Sequence, residues 1–189
     1  MEIKLFDSQI DFLNEGEEAF VGSPNDETAI AVLKSTEALY NENSGCNLEY
    51  CKAHNIKTYK GKINTMGTGV VTAGSLFLTV KRNMKDGGEA LSDRFSKALA
   101  KYFAEKGLPA VRCDNNDVMV DNGKVASGGE IFLNGFNYMG YQISVNQDVE
   151  AIKNICTDKP MIKQPKALSD FGITTEEMVE FCKEFWSND

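Results

Sequence analysis

Asp114-Asn115-Asn116-Asp117-Val118-Met119-Val120-Asp121-Asn122-Gly123-Lys124-Val125-Ala126-Ser127-Gly128-Gly129 is the stretch that decides how this chain is read. Val118-Met-Val120 is short, apolar and β-preferring, and Asn122-Gly123 behind it is a strong short-range signal for a tight hairpin. Two further runs, Ile131-Phe-Leu133 and Gln142-Ile-Ser-Val145, flank a second such pair, Asn134-Gly135. Strands separated by turns of this kind predict an antiparallel meander. A hairpin over 118–124 aims Asp117 and Lys124 towards one place.

Working outward, Leu91, Phe95, Ala98, Leu99, Tyr102 and Phe103 recur at three and four residues and predict an amphipathic helix, stopped by Gly107 with Pro109 beyond. Leu76-Phe-Leu-Thr-Val80 reads as a buried strand, fed by a glycine-punctuated loop from Gly61 to Gly74. A short helix is expected from Asn47 to His54. From Pro24, Ile30, Leu33, Glu37 and Tyr40 fall at helical spacing up to the loop Asn41–Gly45, and Ile3–Phe6 and Ala19–Val21 read as edge strands. In the tail, Val149, Ile152 and Ile155 share a helical face. Thr174 and Glu177 form a capping box for a last helix bearing Met178, Phe181, Cys182 and Phe185, with Trp186 at its fraying end. Strands and helices interleave without a βαβ rhythm, so the expected class is α+β, a mixed and largely antiparallel sheet with packed helices.

The chain has 189 residues, enough for one domain over 1–189 with its own core. Lys and Arg number 20 against 28 Asp and Glu, a formal charge of -8, the wrong sign for holding a nucleic-acid backbone. No run approaches the ~20 apolar residues of a membrane span. The N-terminus shows no basic-then-apolar leader, which makes the cytoplasm the expected location. Five cysteines without a CxxC pair suggest buried thiols rather than a disulfide framework, and Cys46, Cys51 and His54 match no common zinc spacing.

A lysine fixed on a rigid hairpin offers a point charge to phosphate and carboxylate oxygens, and nearby glycines let backbone approach a ligand. That combination suits an activated acid. The same residues also describe an ordinary Asn-Gly hairpin with a solvated lysine, which on residue types alone is the commoner case.

The segment Asn116-Asp117, the Val-rich strand, Gly123, Lys124, Val125, Ala126 and the glycine that follows resemble the signature of the lipoate protein ligase, biotin protein ligase and octanoyltransferase superfamily. Two further segments are similar to lipoate ligases in particular. One runs through Tyr40-Asn-Glu-Asn43, Asn47-Leu-Glu-Tyr50 and Asn55-Ile56 to Gly74-Ser75-Leu76; the other is Ser169-Asp-Phe-Gly172-Ile-Thr-Thr-Glu-Glu177. The resemblance spans 36–186 and is strongest to the lipoate ligase catalytic domain.

It implies a fold like that of class II aminoacyl-tRNA synthetases and biotin-lipoate ligases. It implies a reaction in which ATP activates lipoate as an acyl-adenylate and a carrier lysine then takes the acyl group. Lys124 becomes the catalytic residue. Asn116 and Asp117 are placed at the nucleotide, with Asp117 towards Mg2+, and Lys60, Gly67, Gly69, Val70, Gly74, Ala126 and Gly128 line the ligand cradle. The implied partners are a lipoyl carrier domain and a separate accessory domain.

The chain departs from the family in places. Lys60-Gly61 and Asn64-Thr65-Met66-Gly67-Thr68-Gly69 stand where lipoate ligases carry two arginines and three glycines. Ser127 precedes a displaced Gly128, and histidines near Tyr138-Met-Gly140 are missing. Two alternatives stay open: an octanoyl or lipoyl transferase with Cys156 as nucleophile, although Cys156 also continues the apolar face of Val149, Ile152 and Ile155, and a ligase-like binding protein without turnover.

Overall fold

The structure is a computed structural model and describes residues 3–42, 44–61, 69–83, 89–157 and 163–188. Its main sheet has seven strands in the order β1-β2-β6-β10-β9-β8-β7. These are β1 (Ile3–Phe6), β2 (Glu27–Val32), β6 (Leu76–Asn83), β7 (Ala110–Arg112), β8 (Val118–Val120), β9 (Gly123–Leu133) and β10 (Phe136–Ile143). Only the β1–β2 pair is parallel. A second sheet, β4-β3-β5, is built from β3 (Glu37–Tyr40), β4 (Lys57–Lys60) and β5 (Gly69–Val71). The predicted mixed α+β class with a largely antiparallel sheet is what the structure shows.

One face of the main sheet makes the core. Leu76, Leu78 and Val80 of β6, Met139, Tyr141 and Ile143 of β10 and Val118 and Val120 of β8 alternate onto it. They pack against Leu91, Phe95, Leu99 and Phe103 of α4 (Leu91–Glu105) and Met178, Cys182 and Trp186 of α6 (Thr175–Ser187). Both helices follow their sequence signals. The Thr174 hydroxyl accepts from the Glu177 amide at 3.2 Å, and Gly107 takes a φ of +79° just past the end of α4. Trp186, expected at a frayed end, is instead fully buried and stacks on Phe95 at 5.6 Å, with the Arg82 guanidinium over its ring at 5.0 Å. Its apolar area outweighs the fraying of a terminal turn.

Two expectations in the N-terminal part are corrected. Residues 24–40 do not form a helix but β2 and β3. Thr28 to Ala31 are buried in succession because β2 is covered on both faces, so strand burial there leaves no alternation to read. Ala19–Val21 lies not in a strand but in α2 (Glu17–Gly22), where Phe20 meets the Phe12 ring edge-on at 5.6 Å. The short helix expected at 47–54 is α3 (Leu48–Ala53), capped by the Asn47 side chain, and Val149, Ile152 and Ile155 lie on α5 (Val149–Ile155). The last strand of the meander begins at Phe136 rather than Gln142, because Asn134 and Gly135 form a two-residue loop with φ of 53° and 83° and pairing starts at once.

Candidate functional site

The β8–β9 hairpin places Lys124. Its loop is Asp121-Asn122, with φ of 46° and 61°, one residue earlier than the Asn122-Gly123 pair the sequence suggested. Gly123 therefore opens β9 opposite Val120, and it lacks a side chain where the stem of Lys166 lies across it. Met119 pairs with Lys124, but Val118 pairs with Ala126, so Val125 is the extra residue of a β-bulge. The bulge resets the alternation. Val125 and Ala126 both enter the core, and Lys124 is left on the opposite face with Ser127.

That second face differs in kind. Register aligns Ala29, Thr79, Gly140 and Gly129 as one row of small residues across β2, β6, β10 and β9. On one side runs the row Ala31, Phe77, Gln142 and Ser127; on the other lie Lys81, Tyr138 and Ile131. The Phe77 ring leans over Gly140, where an added Cβ would meet it at 3.4 Å, while a Cβ at Gly129 would find open space. The Gln142 amide donates to the Val70 carbonyl at 3.1 Å and so holds β5, the described end of the glycine-punctuated segment, over this face.

The backbone of Lys124 is clamped. Its amide donates to Gln164 O at 2.8 Å and its carbonyl accepts from the Lys166 amide at 3.0 Å, with Pro165 alongside as a parallel bridge. The clamping segment carries two further lysines, and both are neutralised. Lys163 Nζ lies 2.7 Å from Asp117 Oδ2, and Lys166 Nζ pairs with the Asp121 carboxylate and donates to the Asp121 carbonyl at 2.9 Å. The hydrogen bond to Asp117 holds the Lys163 ammonium above the usual lysine range. Among the described residues the Lys124 ammonium has neither an ion pair nor a hydrogen bond, though the residue is half-buried. A half-buried cation without a counter-ion suits an anionic ligand.

The other expected site residues divide. Val70 and Gly69 lie on β5, and Val70 is tied to this face through Gln142. Ala126 and Gly128 point to the core side, where Gly128 is required because a Cβ would collide with the Tyr141 ring. Gly74, at φ +78°, faces the Asn146 side chain, and its carbonyl accepts from Thr175 at 2.5 Å; it is a joint between the 72–75 turn, Asn146 and α6. Asn116, at φ +64°, is committed to α4: it donates to Ser92 Oγ at 2.9 Å and accepts from Arg112 at 2.6 Å. Lys60 is exposed on β4 and paired with Glu42 at 2.8 Å, which holds its ammonium above the usual lysine range. Gly67 lies outside the described residues. Cys156 ends α5 opposite Cys46, in the cluster that contains Val70 and Cys51.

Among the described residues no side-chain cluster for Mg2+ is formed. Asp117 is buried, with Oδ2 held by Lys163 and by Asn115 at 3.0 Å, and no group of three or more acidic, histidine or cysteine side chains among the described residues could hold a metal. The sequence reading missed Lys163, Lys166 and Gln142. The motif Lys163-Gln-Pro-Lys166 carried a signal, since two cations flank a proline that cannot extend a ladder.

A family model described as the lipoyl protein ligase A/B catalytic domain matches residues 40–187. No curated protein sequence matches the chain. Among solved structures, P. falciparum LipL1 in complex with lipoate superposes at a TM-score of 0.74 with 16% identity, covering 99% of this chain and 63% of its own length. A bi-partite lipoate protein ligase from Thermoplasma acidophilum, described with its E2 lipoyl domain, gives 0.72 at 15% identity over 95% of this chain and 80% of the other. The biotin protein ligase of Aquifex aeolicus with biotin and ATP gives 0.53 at 15% identity over 98% and 68%. At these identities the likeness is one of fold. The chain spans just under two thirds of the P. falciparum protein's length. None of the helices in the described residues is long and apolar enough to cross a membrane.

Proposed function

Since the chain belongs to the lipoyl protein ligase A/B catalytic-domain family, we propose that it activates lipoate, or a related short acid, as an acyl-adenylate with ATP and passes the acyl group to a lysine of a lipoyl carrier domain. One observation carries this reading: the Lys124 ammonium, unneutralised among the described residues, stands on the same sheet face as a row of small residues. The P. falciparum relative was solved with lipoate, the A. aeolicus structure holds ATP, and the T. acidophilum ligase is described with its lipoyl domain, which supports the choice of acid, nucleotide and acceptor.

Beyond the buried Ala29, the rest of that row, Thr79, Gly140 and Gly129, gives an apolar acyl tail a shallow bed between Phe77 and Tyr138. The carboxylate end then lies towards Lys124. In the first step a carboxylate oxygen attacks the α-phosphorus of ATP and pyrophosphate leaves. In the second the carrier amine attacks the acyl carbon, the acyl–phosphate bond breaks and AMP leaves. Lys124 contributes by holding oxygens whose charge grows in both transition states, and its clamped backbone lowers the cost of positioning it. The bi-partite relative supports a separate accessory domain as part of the working enzyme, and an ATP-dependent step of this kind fits the cytoplasm.

Incubation with lipoate, ATP and Mg2+ tests the proposal, with pyrophosphate release and bound lipoyl-AMP as readouts and a lipoyl domain as acceptor. Release that depends on lipoate is expected. Acyl transfer that needs Cys156 and no ATP, or ligand binding without pyrophosphate, would contradict it.

A further inference from the structure

Three of the five cysteines meet in the layer formed by α3 and α5. Cys46 and Cys156 face each other across an antiparallel bridge, and both pack on the cluster of Cys51, Val70, Ile152 and Ile155. The flanking backbone bonds fix the kind of pair. Asn47 N donates to Ile155 O and Thr157 N to Gly45 O, each at 2.9 Å, so Cys46 and Cys156 occupy the non-hydrogen-bonded position between them. Residues so placed have Cα atoms ~4.5 Å apart and side chains close together. That separation lies inside the roughly 4.4–6.8 Å range that a disulfide spans without moving the backbone.

We propose that Cys46 and Cys156 are a reversible dithiol–disulfide couple closed by hydroperoxides. A thiolate of the pair attacks one oxygen of hydrogen peroxide; the O–O bond breaks, hydroxide leaves and is protonated to water, and the attacking sulfur becomes a sulfenic acid. The facing thiolate attacks that sulfur, the S–S bond forms and the S–O bond breaks, and the hydroxide released becomes a second water. The two sulfurs lose two electrons and the peroxide gains them.

The surroundings select this pair. Cys46 and Cys156 are both partly exposed, whereas Cys51 is 1% exposed and burial pushes its thiol up, although it is hydrogen-bonded to Cys46. Cys182 is enclosed in the main core, where burial pushes its thiol up to about 12, and Cys113 sits by Lys163 in the loop between β7 and β8. Closing the couple ties the segment before α3 to the end of α5, on the cluster that backs Val70 of β5.

The test is oxidation of the full chain with limiting hydrogen peroxide, a quench with N-ethylmaleimide, and peptide mapping under non-reducing conditions. The expected result is loss of two of the five thiols, a Cys46–Cys156 linked peptide, and full recovery with dithiothreitol. The linked peptide should persist in Cys51→Ala and vanish in Cys156→Ala. Because the wild-type map decides the matter, a variant that fails to fold does not. Retention of all five thiols, a Cys46–Cys51 link, or linkage only between chains would overturn the proposal.

Discussion

The two faces of the seven-stranded sheet obey different rules. On the α4 and α6 side β6, β8 and β10 present large apolar residues, and polar groups at the margin bond one another: Asn116 bonds Ser92 and Arg112, and the Tyr141 hydroxyl donates to the Asn116 carbonyl at 2.5 Å. On the other side the central row is Ala29, Thr79, Gly140 and Gly129, and the Lys124 ammonium has no counter-ion among the described residues. The first face carries the main core; the second is covered at β2, where Phe12 and Phe20 pack on Ala29, and leaves small residues beside the Lys124 cation further along, at Gly140 and Gly129. The bulge at Val125 keeps them separate, because without it Lys124 and Ala126 would share a face.

This division can be broken first at its strongest point. Phe95→Ala removes the ring that meets Tyr141, Phe185 and Trp186 and should cost about 4 kcal/mol in chemical denaturation. A loss under half that size would mean that the core is not centred there. Gly128→Ala and Gly129→Ala sharpen the comparison, being neighbours on β9 with opposite orientations. The first should lose about 2 kcal/mol through collision with Tyr141. The second should stay within about 0.5 kcal/mol of wild type while weakening lipoate binding, as calorimetry would show. Equal stability losses would erase the distinction between the faces.

Smaller effects test the charges. Lys163→Ala leaves the buried Asp117 carboxylate with the Asn115 amide as its side-chain donor and should cost about 1 kcal/mol. Glu177→Gln should cost about 0.5 kcal/mol at neutral pH. The hydrogen bond from Lys106, then that from Tyr102, holds the Glu177 carboxyl below its usual 4.5. A depressed carboxylate stabilises the fold above the unfolded value and loses that contribution as pH falls through the folded one. The melting difference between wild type and variant should therefore be complete above about pH 4.5 and close below it; a gap unchanged by acid would place the effect elsewhere.

Much of the core face was legible in the sequence. The spacing of Leu91, Phe95, Leu99 and Phe103, the Thr174 cap and the Asn134-Gly135 loop are local signals, and each formed as expected. The stretch 27–40 was not legible, since a strand buried on both faces shows no alternation. The site was half legible. Lys124 stood out through its hairpin and its family resemblance; Asn116 is bonded to Ser92 and Arg112, and the bulge sets the side of β9 on which Ala126 and Gly128 face the core. Gln142 and the lysines of Lys163-Gln-Pro-Lys166 reach the site through tertiary contacts that no local pattern encodes.

Calorimetric titration of wild type and Lys124→Ala with a non-hydrolysable lipoyl-adenylate tests the central claim most directly. Lys124 makes no side-chain bond within the described protein, so the variant should melt with the wild type. It should bind the adenylate roughly a hundredfold more weakly. Equal affinity in a folded variant would show that Lys124 is not the group that holds the activated acid.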